Sequence, residues 1–293
     1  MRSLSQILSR GLGFVFMVLL SLLFVGPLLF MVSASLKPNA QIFEDLRSFR
    51  AFLPVGDVSF DNYRTVLSKS PLLRYFLNSA LISVITVSLG IFVNSLAAYG
   101  LQRFRWRGQR LALAAVLGLL IIPFEMTALP LMMMVSGLPS IAVGASGVSL
   151  TATWFNSWHV QIVPFIGNAF CIFLFYQSFK DIPRELDEAA MMDGAGPFRI
   201  YWSIIMPNCG PIVATAAIIL FLAMWNQYLW PILVVPGQDF RPVMVGIQQF
   251  FGRSKVWGEI MAYATMVTLP VLVVFIVFQR RFVQSVVSSG IKG

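Results

Sequence analysis

IPRELDEAAMMDGAGPFRIYWSIIMPNCGP, residues 182–211, is the densest cluster of charge lying between two long apolar runs of the chain. Pro183 fits a first helical turn, where its missing N–H is not needed. Arg184 to Met192 is rich in good helix formers and reads as a short helix. Leu186, Ala189 and Ala190 recur at spacings of three and four, with Arg184, Asp187 and Glu188 between them, which predicts an amphipathic element. Asp193-Gly194 is a turn signal, because glycine reaches positive φ without steric cost. Pro197 then opens a second short helix that carries Phe198, Tyr201, Trp202 and Ile205. Two short amphipathic helices around a glycine hinge make a knob at a surface, not a membrane span.

The rest of the chain is apolar. Hydrophobic residues make up 58% and charged residues 11% of its 293 residues, and its mean hydropathy is +0.80. Soluble domains carry about a quarter charged residues, so the composition is that of a membrane protein. Uncharged runs of spanning length predict six helices, at about 12–36, 75–102, 111–135, 154–178, 207–235 and 260–279. The expected fold is therefore all-α: one transmembrane domain over residues 1–293, with the two-helix loop at 181–206 between spans. A signal peptide is the competing reading of the first run. That run is too long for a signal core and more spans follow it, so a retained helix is expected. Pro27 lies within it and is placed to kink it. Residues 37–74 hold several acids and bases and cannot span. A short surface helix is expected near Asn62 to Ser68, and the uncharged, small-residue segment 136–153 reads as a second outer loop.

The formal charge of +9 invites a nucleic-acid reading. The bases, however, sit at the ends of apolar runs. Arg103, Arg105, Arg107 and Arg110 fill one short loop, and Arg2, Arg10, Arg280 and Arg281 lie on the same side in a six-span topology. Short basic loops face the cytoplasm, so both termini are expected there and residues 37–74 outside. Cys171 and Cys209 lack metal-ligand spacing and read as small packed hydrophobes, and His159 is the only histidine. No metal site is expected.

No phosphate-binding G-x-x-x-x-G-K-[ST] is present, nor any paired-carboxylate or Ser/His/Asp set. The chain offers no enzymatic apparatus. Glu125 stands out inside an apolar run, between Pro123 and Pro130, where an ionised carboxylate is costly. It reads either as a cavity-facing group near a substrate path, or as a carboxylate at the membrane interface or against a neighbouring helix. Trp225, Asn226, Tyr228 and Trp230 combine flat rings with an amide. That chemistry suits the C–H faces and hydroxyls of sugars, and it also suits an interfacial aromatic belt. Asn78, Asn156, Asn168 and Gln161 are weaker candidates for the same path, because amides in membrane helices often bridge helices.

Glu188-Ala189-Ala190, Asp193-Gly194-Ala195, Pro207 and Pro211 resemble the E-A-A…D-G-A…P…P loop of bacterial ABC-importer permeases. Phe60 to Tyr63, Asn78-Ser79, Ala97 to Gly100, Pro123 with Pro130 and Trp225-Asn226 are similar to the carbohydrate-uptake class of that family, of the maltose and glycerol-3-phosphate type. The resemblance implies an inner-membrane permease with no cofactor of its own. Its partners would be a homologous second permease, two ATPase subunits holding ATP and Mg, and an external solute-binding protein. It makes Glu188, Ala189, Ala190, Asp193, Gly194 and Ala195 the residues coupling to the ATPase. The ending Gly290-Ile291-Lys292-Gly293 resembles a tail that inserts toward the ATPase dimer. A stand-alone proton-coupled transporter using Glu125 is the alternative from another class.

Overall fold

The computed structural model describes residues 4–144, 147–151, 153–252 and 255–290, with side chains over 11–139, 153–252 and 255–278. The helices are α1 (Leu4–Ser35), α2 (Asn39–Asp45), α3 (Asp61–Lys69), α4 (Leu72–Arg103), α5 (Gln109–Leu119), α6 (Phe124–Ser136), α7 (His159–Ile162) and α8 (Ala169–Lys180). Then come α9 (Glu185–Met192), α10 (Pro197–Ile200), α11 (Met206–Asn208), α12 (Gly210–Trp225), α13 (Leu229–Val234), α14 (Val243–Gly246) and α15 (Trp257–Gly290). By packing, the chain divides into two units, Met1–Leu72 with Gly246–Pro270 and Leu73–Val245 with Val271–Gly293.

The helical expectation holds with one local exception. Strands β1 (Ser140–Gly144) and β2 (Gly147–Thr151) pair antiparallel, with Ser140 opposite Thr151 and Gly144 opposite Gly147. The β-branched Ile141, Val143, Val148 and Thr151 favour extended backbone over a loose loop.

Among the described residues, four helical segments are long and apolar enough to cross a bilayer: Gly11–Ser35, Leu72–Arg103, His159–Lys180 and Trp257–Phe278. Two further pairs bring the number to six if each is one span, and both are sharply bent. α5 and α6 meet at 105°, and Pro197–Asn208 meets α12 at 84°. The expected span at 111–135 is thus a broken one. Pro123 disfavours helical backbone at Ile122 and is itself extended (φ −68°, ψ 144°). The expected span at 207–235 is shortened to the 16 residues of α12, about 24 Å of helix. It ends at Asn226, and 229–234 forms the separate turn α13.

In the first unit the end of α1 is closed from a distance. Asn62 Nδ2 donates to the carbonyls of Ser35 and Lys37, both at 2.9 Å, and Tyr63 Oη lies 2.7 Å from Ser35 Oγ. These bonds occupy carbonyls that a helix end leaves without a partner. The surface helix expected near 62–68 is α3, and its start supplies this clamp. Beside it the buried Lys37 donates to Asp45 Oδ2 at 2.8 Å and to the Arg50 carbonyl at 2.7 Å. The Lys37 hydrogen bond holds the Asp45 carboxyl below the usual carboxylate range, against the opposing effect of burial.

In the second unit the expected span at 154–178 is interrupted. α7 runs into a 3-10 turn, Val163–Phe165, and α8 begins only at Ala169. A break in an apolar setting exposes backbone groups that must find partners. Asn94 of α4, fully buried, provides them. Its Nδ2 donates to the Ile166 carbonyl at 2.9 Å and its Oδ1 accepts from the Asn168 N–H at 2.8 Å. Asn168 in turn caps α8 by accepting from the Cys171 N–H at 3.0 Å. Asn94→Leu leaves a buried N–H and a buried carbonyl unpaired, at about 1–3 kcal/mol each. A clear drop in the detergent-solubilised melting temperature is expected, with a much smaller drop for Asn94→Gln. Equal melting of Asn94→Leu and the native chain sinks this account.

Candidate functional site

The loop read from sequence folds as a knob against the ends of α4 and α8. α9 carries Glu185, Asp187 and Glu188 in its first turn, where the helix dipole favours negative charge. It ends in a Schellman turn. The Ala195 N–H donates to the Ala190 carbonyl at 2.9 Å and the Gly194 N–H to the Met191 carbonyl at 3.0 Å. Ala190 and Ala195, the residues that such a turn brings together, join one apolar cluster. Gly194 has φ +77°, in the left-handed region that costs an L-residue roughly 1–2 kcal/mol. A β-carbon there would meet no atom within 4 Å. The glycine is needed for its backbone angle and not to avoid a clash.

The buried face of α9 differs from the expected one. Asp187 and Ala190 are buried, while Leu186 and Ala189 face out along with Glu188, Asp193 and Gly194. The reason is an ion pair. Arg103, at the end of α4, sets its Nε 3.2 Å from Asp187 Oδ2, with the two side chains 5% and 8% exposed. Sequence reading had treated Arg103 as an orientation marker. An arginine at the end of an apolar run and an aspartate in an acid-rich turn gave no sign of being neighbours. Burial pushes the Asp187 carboxyl up, while the Arg103 and Arg184 guanidinium groups pull it back.

The second arm also divides differently. Pro197 opens α10 behind Gly196 as expected, but the helix then widens into a π-helical turn at Tyr201–Ile205. Tyr201 and Ile205 are fully buried, whereas Phe198 and Trp202 are exposed. Phe198, Trp202, Leu186, Met191 and Met192 together leave the knob with an apolar exterior, Met192 being 88% exposed. Exposed apolar side chains gathered on one element mark an interaction surface.

The proposed substrate-path residues are scattered. Asn78 is buried and fully engaged. Its Nδ2 donates to the carbonyls of Asp239 at 2.8 Å and Arg241 at 3.0 Å, and its Oδ1 accepts from Trp158 Nε1 at 3.0 Å. It ties a loop down, with both amide N–H groups used and the side chain buried. Trp225 is buried and stacked on Phe221 (centroids 5.4 Å apart, planes at 24°). Trp230 is buried and donates to the Val160 carbonyl at 2.9 Å. Glu125 lies exposed in the first turn of α6, just after the bend. Asn226 caps α12 and, like Tyr228, is exposed. Phe124 packs its ring 6.1 Å from that of Trp230, so the starts of α6 and α13 lie side by side. Gly290 closes α15, and Lys292 lies outside the described residues. Cys171 and Cys209 are buried and unbridged, and the described residues contain no cluster of three metal-ligating side chains.

Residues 87–288 match the model of the family described as binding-protein-dependent transport system inner membrane component. The chain belongs to that family. The match spans the whole knob, and it makes the protein a transport component and not an enzyme. This permease is 30% identical over 273 residues to the lactose transport system permease protein LacG of Rhizobium radiobacter, covering 92% of each chain. It is also 30% identical over 272 residues to the trehalose transport system permease protein SugB of Mycobacterium tuberculosis, covering 91% of this chain and 92% of that one. A bacterial ABC transporter that imports the acidic polysaccharide alginate has the same fold, with TM-score 0.76, 22% identity and coverage of 96% and 99%.

The Schellman turn gives a local prediction. Gly194→Ala destabilises the 185–196 turn by about 1–2 kcal/mol, and Gly194→Asn does so less, since asparagine tolerates the left-handed region. Amide hydrogen exchange over α9 should accelerate in the order native, Asn, Ala. The reverse order overturns the assignment.

Proposed function

We propose that this chain is a permease subunit of an ATP-driven importer and forms part of the path for a sugar or sugar-like solute. The observation that carries the reading is the family match across 87–288. Sugar permeases among the relatives, for lactose and for trehalose, favour the solute class. The 293 residues act as one transmembrane domain. The complex holds a homologous second permease, two ATPase subunits carrying Mg–ATP, and an external solute-binding protein. The knob is the coupling element: Glu188 faces out for a charge-assisted bond to a basic ATPase residue, beside the exposed Met191, Met192, Phe198 and Trp202. ATPase closure moves the knob, and the path alternates between its two openings. Glu125, at the start of α6, and Asn226, at the end of α12, are exposed and remain the path candidates; Asn78 and Trp225 serve the scaffold. By the family resemblance, the ending that includes Gly290 and Lys292 is assigned to contact with the ATPase. A proton-coupled carrier built on Glu125 has less support, because the family works with a binding protein and this carboxylate is not enclosed.

Two experiments test this. In the reconstituted complex, Gly194→Leu should insert and assemble, yet transport little and hydrolyse ATP without response to loaded binding protein. Glu188→Ala should show a milder form of the same loss. Full solute-stimulated hydrolysis and uptake in Gly194→Leu overturns the coupling role. In intact cells, a cysteine placed at Ser48 should react with an impermeant reagent and one at Gln109 should not, because the arginine loop faces the cytoplasm. The opposite labelling reverses the topology.

A further inference from the structure

The last turns of α4 are joined to the knob along one face. Ser95, Tyr99 and Arg103 follow at intervals of four, which aligns them along a helix, and the Gln102 carbonyl lies beside them. Ser95 Oγ lies 2.7 Å from Tyr201 Oη. Tyr99 Oη donates to the Pro197 carbonyl at 3.1 Å. The Gln102 carbonyl accepts from Arg184 Nη2 at 3.1 Å. Arg103 Nη2 donates to the Ile182 carbonyl at 3.0 Å, and its Nε faces Asp187. The contacts reach the segment before α9, α9 itself and the arm after Gly194. The knob therefore cannot turn against α4 without breaking several of them at once.

The chain itself enters the knob from α8 and leaves it toward α12, and on the α12 side the backbone bends by 84° at Cys209. A sharp bend is a poor rod, since it flexes before it transmits. α9 itself, at eight residues, is too short to hold its shape without tertiary support.

We infer that α4 is the rod that carries knob displacement into the membrane part of the permease, and that the buried Arg103–Asp187 pair is the joint that locks it to the knob. Both are positioning residues, and neither needs to touch solute or ATPase. The inference rests on the coupling reading above. The pair is suited to the task because losing either charge leaves the other buried without its nearest opposite charge.

The test uses the full complex, with the permease, its ATPases and its binding protein in proteoliposomes. Asp187→Asn and Arg103→Gln should co-purify with the ATPase and keep basal hydrolysis. Their binding-protein-stimulated hydrolysis and solute carried per ATP should fall by about fivefold or more, within the usual range of coupling between sites. Combining Arg103→Asp with Asp187→Arg should recover much of the loss, which a simple packing role does not predict. A second measurement works even where a variant assembles poorly. Spin labels go on at Met192→Cys and Val93→Cys, both exposed positions, with Cys171 and Cys209 replaced by serine. In the otherwise native complex their separation should stay fixed between nucleotide-free and ATP-bound states, and in Asp187→Asn it should broaden. A separation that changes by several ångströms on ATP binding without Asp187→Asn, or single variants with native stoichiometry, overturns the joint. If Gly194→Leu and Glu188→Ala uncouple while the pair variants do not, only this inference falls. If none uncouples, the coupling reading falls with it.

Discussion

Every break in a helix that runs through an apolar surrounding strands backbone groups that water cannot reach, and this chain breaks its helices repeatedly. At several of these breaks and chain ends the structure supplies a side-chain amide from another element. Asn94 closes the gap between α7 and α8. Asn62 closes the end of α1. Asn78 holds the loop after α13 through two carbonyls, and Gln161 adds a third bond from the same side, to the Phe240 carbonyl at 3.0 Å. Asn156 accepts from the Gly237 N–H at 3.1 Å while itself adopting φ +54°. These amides look like candidate solute ligands in a sequence. In the fold they serve as backbone partners, and the apolar helices around them supply few alternatives.

The same constraint shapes the knob. Its carbonyls at Ile182 and Pro197 are taken by Arg103 and Tyr99, and its own turn satisfies Ala190 and Met191 from within. What remains on the outside is Glu188 with a set of large apolar side chains. A surface of that kind is stable on an isolated chain only at a cost in exposed apolar area. Its place beside a buried ion pair gives it a firm base and a sticky exterior, which is the combination needed by an element that receives force from a partner.

The bends at Pro123 and Cys209 give the membrane part a different character from a bundle of straight rods. Proline at an extended φ, ψ forbids the helix from continuing, so α5 and α6 separate, and α12 starts afresh at Gly210. Two of the residues suspected of lining a path lie at helix breaks. Glu125 follows one, and Asn226 ends α12 where the next turn begins. Breaks and polar groups belong together because unwound backbone is tolerated only where protein or water covers it.

The sequence by itself determined the class of the protein, the number of apolar segments and the shape of the knob. Those follow from local rules: the length of uncharged runs, the Asp193-Gly194 turn that needs positive φ, and Pro197 at a helix start. The 182–211 stretch also carried the family resemblance that the match over 87–288 bears out. The sequence did not determine which face of α9 is buried, because Asp187 goes inward only to meet an arginine 84 positions earlier in the chain. It did not separate structural amides from available ones, since Asn78 and Asn226 differ only in what surrounds them. Nor did it reveal the interruptions of the spans at 111–135 and 154–178 or the pairing of β1 with β2. Hydropathy reports how apolar a segment is, whereas continuity, register and pairing depend on partners distant in the chain, and only the tertiary structure brings those partners into place.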